Sequence, residues 1–346
     1  MEVAETWSRW LVFGTVLAMM GARFAGVPAL TGQLVLVVAG MGLIAGIPHG
    51  AADHIIATRL VGGRPLVLVA AAYFCVALTA WVLLEWAGPI ALSVVVALSA
   101  LHFGLGELEV SHQLTGWRPQ RGLDLAIVIG GSGALVLPLA RSGEQLKQVA
   151  TAVSPDLARL IGEAPVQIGL VVIWLVAALV AVTGSLRSGH PAVALDIALT
   201  GALGMLAPPL AAFAVWFGGW HGLRHCARML TIEPGCAALV RTGRRRAAAL
   251  RLIRLAALPS MAALTTVAAL GWFTVAAPDP TVVVAEALRL LLALTVPHMV
   301  VVLWIDRTTG REHQTLPAVR VAVTHRLCRA VTKPSSRWNT PSRDWA

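Results

Sequence analysis

Long apolar runs follow one another along this chain with little between them, and they decide what it can fold into. A bilayer's hydrocarbon core of about 30 Å takes about 20 apolar residues per helix, with a range of about 17–25. Runs of that kind lie near 8–26, 29–48, 66–86, 88–108, 123–140, 166–184, 191–207, 208–226, 252–276 and 282–304. The expected fold is therefore all-α, a polytopic integral membrane bundle of about ten transmembrane helices. A residue usage of 57% hydrophobic and 13% charged agrees with that class. The first run is not a secretory signal, because Trp10 to Gly21 is followed by Arg23 and by further spans rather than by a small-residue cleavage site. Pro208 and Pro209 cannot continue an ordinary helix, so they are read as a tight turn between two spans. One broken span in that place would make nine.

Orientation follows the basic residues of the short loops. Arg59 and Arg64 follow the second run, Arg118 and Arg121 the fourth, and Arg241, Arg244, Arg245, Arg246, Arg251 and Arg254 the eighth. The turns after the third and ninth runs carry only Glu85 and Asp279, and the expected loop 141–163 mixes both signs without contradicting the pattern. Both termini and the loops after even-numbered runs are thus expected in the cytoplasm, with the protein multi-pass in the inner (plasma) membrane. The net charge of +10 lies in these same loops, so topology accounts for it and no nucleic-acid partner is implied. Residues 1–308 read as the transmembrane catalytic domain and 309–346 as a polar, basic, flexible cytoplasmic tail. Cys75, Cys226, Cys236 and Cys328 form no CxxC pair and are read as reduced.

Ionisable groups inside such runs cost about 2.5–3.5 kcal/mol on insertion scales, which makes each a functional candidate. Histidines break four of the runs: Gly46-Ile-Pro-His-Gly-Ala-Ala-Asp-His54, Ser99-Ala-Leu-His-Phe-Gly-Leu-Gly-Glu107, Trp220-His-Gly-Leu-Arg-His225 and Pro297-His298. All four lie on even-numbered runs, late in the span, so the topology brings the histidines to one depth. His221 and His225 are four residues apart, about 40° around a helix, which lets two imidazoles grip one ion. His49 and Asp53 share that spacing, whereas His54 is about 140° from His49 and is read as a helix-end residue. Asp53, His54, Glu107 and His298 are candidate supporting groups or further ligands; Asp53 is placed to accept the second ring N–H of a liganding histidine. Arg224 points away from His221 and His225. His112, His190, His313 and His325 fall in expected loops.

One HxxxH cluster is too few for a histidine-rich di-iron site, and no run carries the paired histidines of a membrane cytochrome. Mid-span carboxylates for a proton relay are scarce. A mononuclear centre of His49, His102, His221 and His225 fits best, with open positions on a six-coordinate ion. Imidazole suits several transition metals; dioxygen chemistry on a hydrocarbon in an apolar cavity favours Fe2+. Phe103, Phe213, Trp216, Phe217, Trp220 and Met299 are expected to line a substrate tunnel. Gly40, Gly42, Gly46, Gly50, Gly104 and Gly106 suit close helix packing, or a slot through which an apolar substrate slips in from lipid.

The four motifs together, over about residues 10–306, resemble the membrane β-carotene 15,15′-dioxygenases of the bacteriorhodopsin-related-protein type (Brp/Blh family). The resemblance implies non-haem Fe2+ held by His49, His102, His221 and His225, and O2-dependent cleavage of the central double bond of β-carotene or a related carotenoid into retinal. It also implies a retinal-binding rhodopsin as product acceptor. Glu107 stands where the family more usually has aspartate. The competing class is non-catalytic: a membrane carotenoid- or retinal-binding accessory protein, or a transporter with a structural metal.

Overall fold

The computed structural model describes residues 1–26, 33–60, 62, 65–141, 144–274, 282 and 285–308. The turn around Asp279 and the tail from 309 onward, with His313, His325 and Cys328, lie outside the described residues. The described chain is helical and contains no strand. Its elements are α1 (Glu2–Phe24), α2 (Gln33–Ala51), α3 (Asp53–Leu60), α4 (Leu66–Trp86), α5 (Gly88–Thr115), α6 (Arg121–Gly131), α7 (Gly133–Arg141), α8 (Glu144–Val153), α9 (Pro155–Gly162) and α10 (Ala164–Arg187). They continue with α11 (Pro191–Leu206), α12 (Pro209–Trp216), a π-helical turn (Phe217–Gly222), α13 (Leu223–Ile232), α14 (Pro234–Arg241) and α15 (Arg245–Thr274). The last is α16 (Ala285–Thr308). Residues 1–302 form one compact unit; of the second, 303–346, the described residues are the end of α16.

Six of the described helical segments are long and apolar enough to cross a membrane, or seven if α6 and α7 count as one bent span. That is fewer than the expected ten. α11 is a shorter apolar helix of 16 residues. α12, the π-turn and α13 divide one expected span into pieces. The α6–α7 break bends by 54° at Gly130-Gly131-Ser132-Gly133, the kind of Gly/Ser sequence at which helices kink. The outer surface is apolar, as lipid requires: on α10, Ile168, Val172, Leu175, Val176 and Leu179 are exposed. The small residues Ala177, Ala178, Ala181 and Ser185 of the same helix face inward.

The mixed-charge segment after α7, expected as a loop, folds as α8 and α9. Ser154 caps α9 by accepting the Leu157 N–H at 3.3 Å, and Pro155 occupies the first helical position. α5 runs on to Thr115, so His112 is helical rather than in a loop. The extended residues Ala207 and Pro208 separate α11 from α12.

Close backbone approach sets the interior. A Cβ at Gly42 or Gly218 would collide with the other strand of the α2–α12/π-turn crossing, at the Ala214 or Gly42 carbonyl, and one at Gly46 would enter the Phe217 ring. Gly104 of α5 lies against the Val128 carbonyl of α6 in the same manner. These glycines are spent on helix contact, which is the packing reading of the small-residue pattern. On α6 and α10, Trp174 Nε1 donates to the Gly130 carbonyl at 3.0 Å. The result holds α2, α5, α13 and α16 around one point in the interior.

Candidate metal centre

Five histidines from five helical elements meet there: His49 (α2), His102 (α5), His221 (π-turn), His225 (α13) and His298 (α16), all buried. Ring centroids lie 5.2 Å apart for His49–His221, 5.5 Å for His49–His225, 5.4 Å for His102–His221 and 6.2 Å for His221–His225. His298 is 4.9 Å from His49, 5.0 Å from His102 and 5.3 Å from His225. The nitrogens of His49, His221 and His298 that face each other lie within 4.8 Å, and so do donor atoms of Asp53, His225 and His298.

Local sequence explains the placement. Pro48 and Pro297 each remove one backbone donor from their helix immediately before a site histidine. The π-turn Phe217-Gly-Gly-Trp-His-Gly222 swells the helix where His221 leaves it; such turns are frequent at functional sites. His49 Nδ1 donates to the Gly46 carbonyl, which turns its Nε2 toward the other rings. His298 Nδ1 donates to Asp53 Oδ2 at 2.6 Å.

The remaining valence is the telling feature. The Nε2 atoms of His102, His221, His225 and His298 are buried without a hydrogen-bond partner among the described residues. Buried polar atoms are nearly always paired, so several orphans on rings about 5–6 Å apart ask for a ligand. Imidazole nitrogens in an apolar setting are a transition-metal donor set. Among the described residues no thiol joins the two groups of donor atoms; Cys75, Cys226 and Cys236 are free cysteines.

Of the other candidates, His54 turns its Nδ1 to the Ala51 carbonyl at 2.7 Å, at the α2–α3 junction. Glu107 is not turned to the histidines. Its carboxylate accepts from Trp220 Nε1 at 2.8 Å and from Arg224 Nη1 at 2.9 Å. Arg224, 2% exposed, also bonds Asp196 at 3.0 Å and Ser8 Oγ at 2.8 Å, and lies 3.6 Å over the Trp220 ring. Asp196 in turn takes two donors from Arg9, at 2.6 and 3.1 Å, and Arg9 pairs with Glu5. A small cavity of about 30 Å³ opens beside this network, lined by Glu5, Arg9, Glu107 and Asp196. Sequence reading passed over Asp196 and Arg9, although a lone carboxylate within the run 191–207 was itself a signal.

The expected tunnel residues are packed on each other and on the histidines. Phe103 meets Trp216 at 4.7 Å and His221 at 4.8 Å; Trp216 stacks on His221 at 5.5 Å; Phe217 meets His49 at 5.2 Å and stacks on Phe213 at 5.5 Å. Trp220 is fully buried, and Met299, beside His298, is half-buried. They form an aromatic wall on one side of the cluster.

With the geometry in place, comparison with known proteins gives a consistent picture. A model of the β-carotene 15,15′-dioxygenase family matches residues 40–306, a stretch that holds all five histidines, Asp53, Glu107, Asp196 and Arg224. A relative from Halobacterium salinarum, described as a probable β-carotene 15,15′-dioxygenase, Blh, is 28% identical over 326 residues, taking in 85% of this chain and 92% of the relative. No solved structure matches the chain. A membrane bundle that gathers five buried histidines in its interior, and that matches this family over most of its length, belongs to the β-carotene 15,15′-dioxygenase family and is a carotenoid-cleaving dioxygenase.

Proposed function

We propose that the chain cleaves the central 15,15′ double bond of β-carotene, or of a closely related carotenoid, with O2 to give two molecules of retinal. We propose further that His49, His102, His221 and His225 hold a non-haem Fe2+ for that reaction. The observation that carries the reading is the meeting of these four buried rings, with neighbouring centroids 5.2–6.2 Å apart and the Nε2 atoms of His102, His221 and His225 partnerless among the described residues. When bound, the iron supplies the redox chemistry by which one O2 is added across an electron-rich double bond and two aldehydes are formed.

The chain's own residues do the rest. His49 is fixed by the Gly46 carbonyl, so its ring needs no reorganisation on binding. Phe103, Trp216 and Phe217 keep water from the histidines and offer flat apolar surfaces to a polyene. The exposed apolar faces of the long helices suit a substrate that arrives from lipid, because a C40 hydrocarbon has almost no solubility in water. No side chain is required as a general base, since the overall reaction moves no proton.

The setting is the inner (plasma) membrane with both termini in the cytoplasm, 309–346 as a tail, and a retinal-binding rhodopsin as product acceptor. A reporter fused at residue 243 should read cytoplasm; a signal from the opposite side would overturn that orientation.

Expression in β-carotene-producing bacteria tests the function. Loss of carotenoid with stoichiometric retinal, and iron in the purified protein, is the expected result. Unchanged pigment in cells that contain the inserted protein would favour a carotenoid-binding accessory role. Longer or shorter apocarotenals in place of retinal would move the cleavage site.

A further inference from the structure

We infer that His298 is a fifth imidazole of the metal centre, donating through Nε2, and that Asp53 is the positioning residue that aims it. The inference rests on the metal-centre reading above and adds to its four ligands.

His298 is not at the margin of the cluster. It lies nearer to His49 and His102, at 4.9 and 5.0 Å between ring centroids, than those two lie to His221, at 5.2 and 5.4 Å. It is also the residue common to both groups of donor atoms that come within 4.8 Å of one another. Its Nδ1 is committed to the Asp53 carboxylate at 2.6 Å. A carboxylate accepts, so Nδ1 carries the proton and Nε2 presents its lone pair. That Nε2 is buried and meets no donor among the described residues. A histidine kept only for packing would not leave a lone pair stranded at the meeting point of four other imidazoles.

Charge supports the same assignment. Neutral imidazoles leave a divalent ion's charge uncompensated in an apolar bundle. Asp53, 0% exposed, is one hydrogen bond away through the His298 ring and supplies a negative charge there. A carboxylate behind a liganding histidine fixes its tautomer and raises its basicity.

The test uses the full-length protein in detergent, stripped of metal and titrated with Co2+ alone, read by affinity and by the visible ligand-field spectrum. His298→Ala should weaken Co2+ binding at least tenfold and change the spectrum, and added imidazole should restore it. Asp53→Asn, nearly the same size and expected to fold, should weaken binding about 10–100-fold. His221→Ala serves as the reference and should lose the signal. Wild-type affinity and spectrum in both His298→Ala and Asp53→Asn, with His221→Ala defective, would remove His298 from the centre and leave the four-histidine reading standing. Unchanged Co2+ binding in His221→Ala as well would overturn both. If His298→Ala fails to fold, the spectrum of Asp53→Asn decides alone.

Discussion

Two polar clusters sit inside this apolar bundle, and they solve the problem of burial in opposite ways. The Arg9–Asp196–Arg224–Glu107 cluster is closed on itself: opposite charges alternate, and its donors reach Ser8, the Ala192 carbonyl and the Trp220 face, with only Arg224 Nη2 lacking a partner. The histidine cluster is the reverse: Asp53 and the Gly46 carbonyl take one nitrogen each from His298 and His49, but the Nε2 atoms of His102, His221, His225 and His298 meet no partner among the described residues. The first behaves as a bolt between α1, α5, α11 and α13. The second is a receptor. Both use the same short stretch of chain, since Arg224 stands between His221 and His225 and faces the other way.

The sharpest way to break that contrast is to remove one member of each cluster. His221→Ala should lose at least nine-tenths of the bound iron and all retinal formation, while the protein still inserts and purifies as a folded species. Metal analysis and chromatography of extracted pigments check it. A chelator should lower the melting temperature of the wild type but not of this variant, because a ligand at 100 times its Kd adds about 2.7 kcal/mol to the folded state. Arg224→Ala should do the opposite. Stranding Glu107 and Asp196 should cost about 3–5 kcal/mol of stability, seen as a lower melting temperature in detergent, with iron per folded molecule near normal. Arg224→Lys keeps the charge but not the fork, and should lose about 1.5–3 kcal/mol. Iron loss in step with Arg224 loss would merge the two clusters into one unit.

Glycines sharpen the comparison at lower cost. Gly104→Ala drives a methyl group into the Val128 carbonyl and should destabilise by about 1–3 kcal/mol. Gly106→Ala, two residues on, places its Cβ 3.6 Å from His221 Cε1, an ordinary contact. It should be neutral or stabilising by about 0.5–1 kcal/mol, as for Gly to Ala in a helix. Equal losses would mean that the histidine side is packed as tightly as the α5–α6 seam.

The smallest effect is expected at the rim. Glu233 caps α14 by accepting the Cys236 N–H at 2.5 Å and binds Arg251 of α15 at 3.1 Å. Burial opposes its charge, but these bonds prevail and hold the carboxyl at about 2, below its ordinary 4.5. A carboxyl lowered on folding stabilises above its unfolded value, and that share is lost as pH falls from about 4.5 toward 2. Glu233→Gln should cost about 1 kcal/mol at pH 7 and flatten the melting temperature between pH 5 and 3. An unchanged acid limb would show that this cap is not what acid attacks.

Much of the centre was legible because membrane chemistry makes polar residues conspicuous. His49, His102, His221 and His225 stand out against apolar neighbours in the sequence, and the fold brings their rings together. Two things were not legible. The π-turn at Phe217–Gly222 has no composition of its own beyond Gly218, Gly219 and Gly222, and it packs against Gly42 and Gly46 of α2. The partners of Arg224 come from α1, α5 and α11, so no local pattern could announce them. Six or seven of the described segments meet the length rule, because that rule treats a span as unbroken, and α6–α7 and α12–α13 are broken where glycines allow it.

The hydrogen bond from His298 to Asp53 joins residues 245 positions apart. During synthesis the nascent chain must therefore carry His49, His102, His221 and His225 through the translocation machinery as an incomplete cluster until α16 has left the ribosome. On the proposed metal-centre reading, loading of the finished site is a late event, after the last helix has been made. Any premature stop before Pro297 yields a chain that holds most of the imidazoles but lacks the final part of the lock.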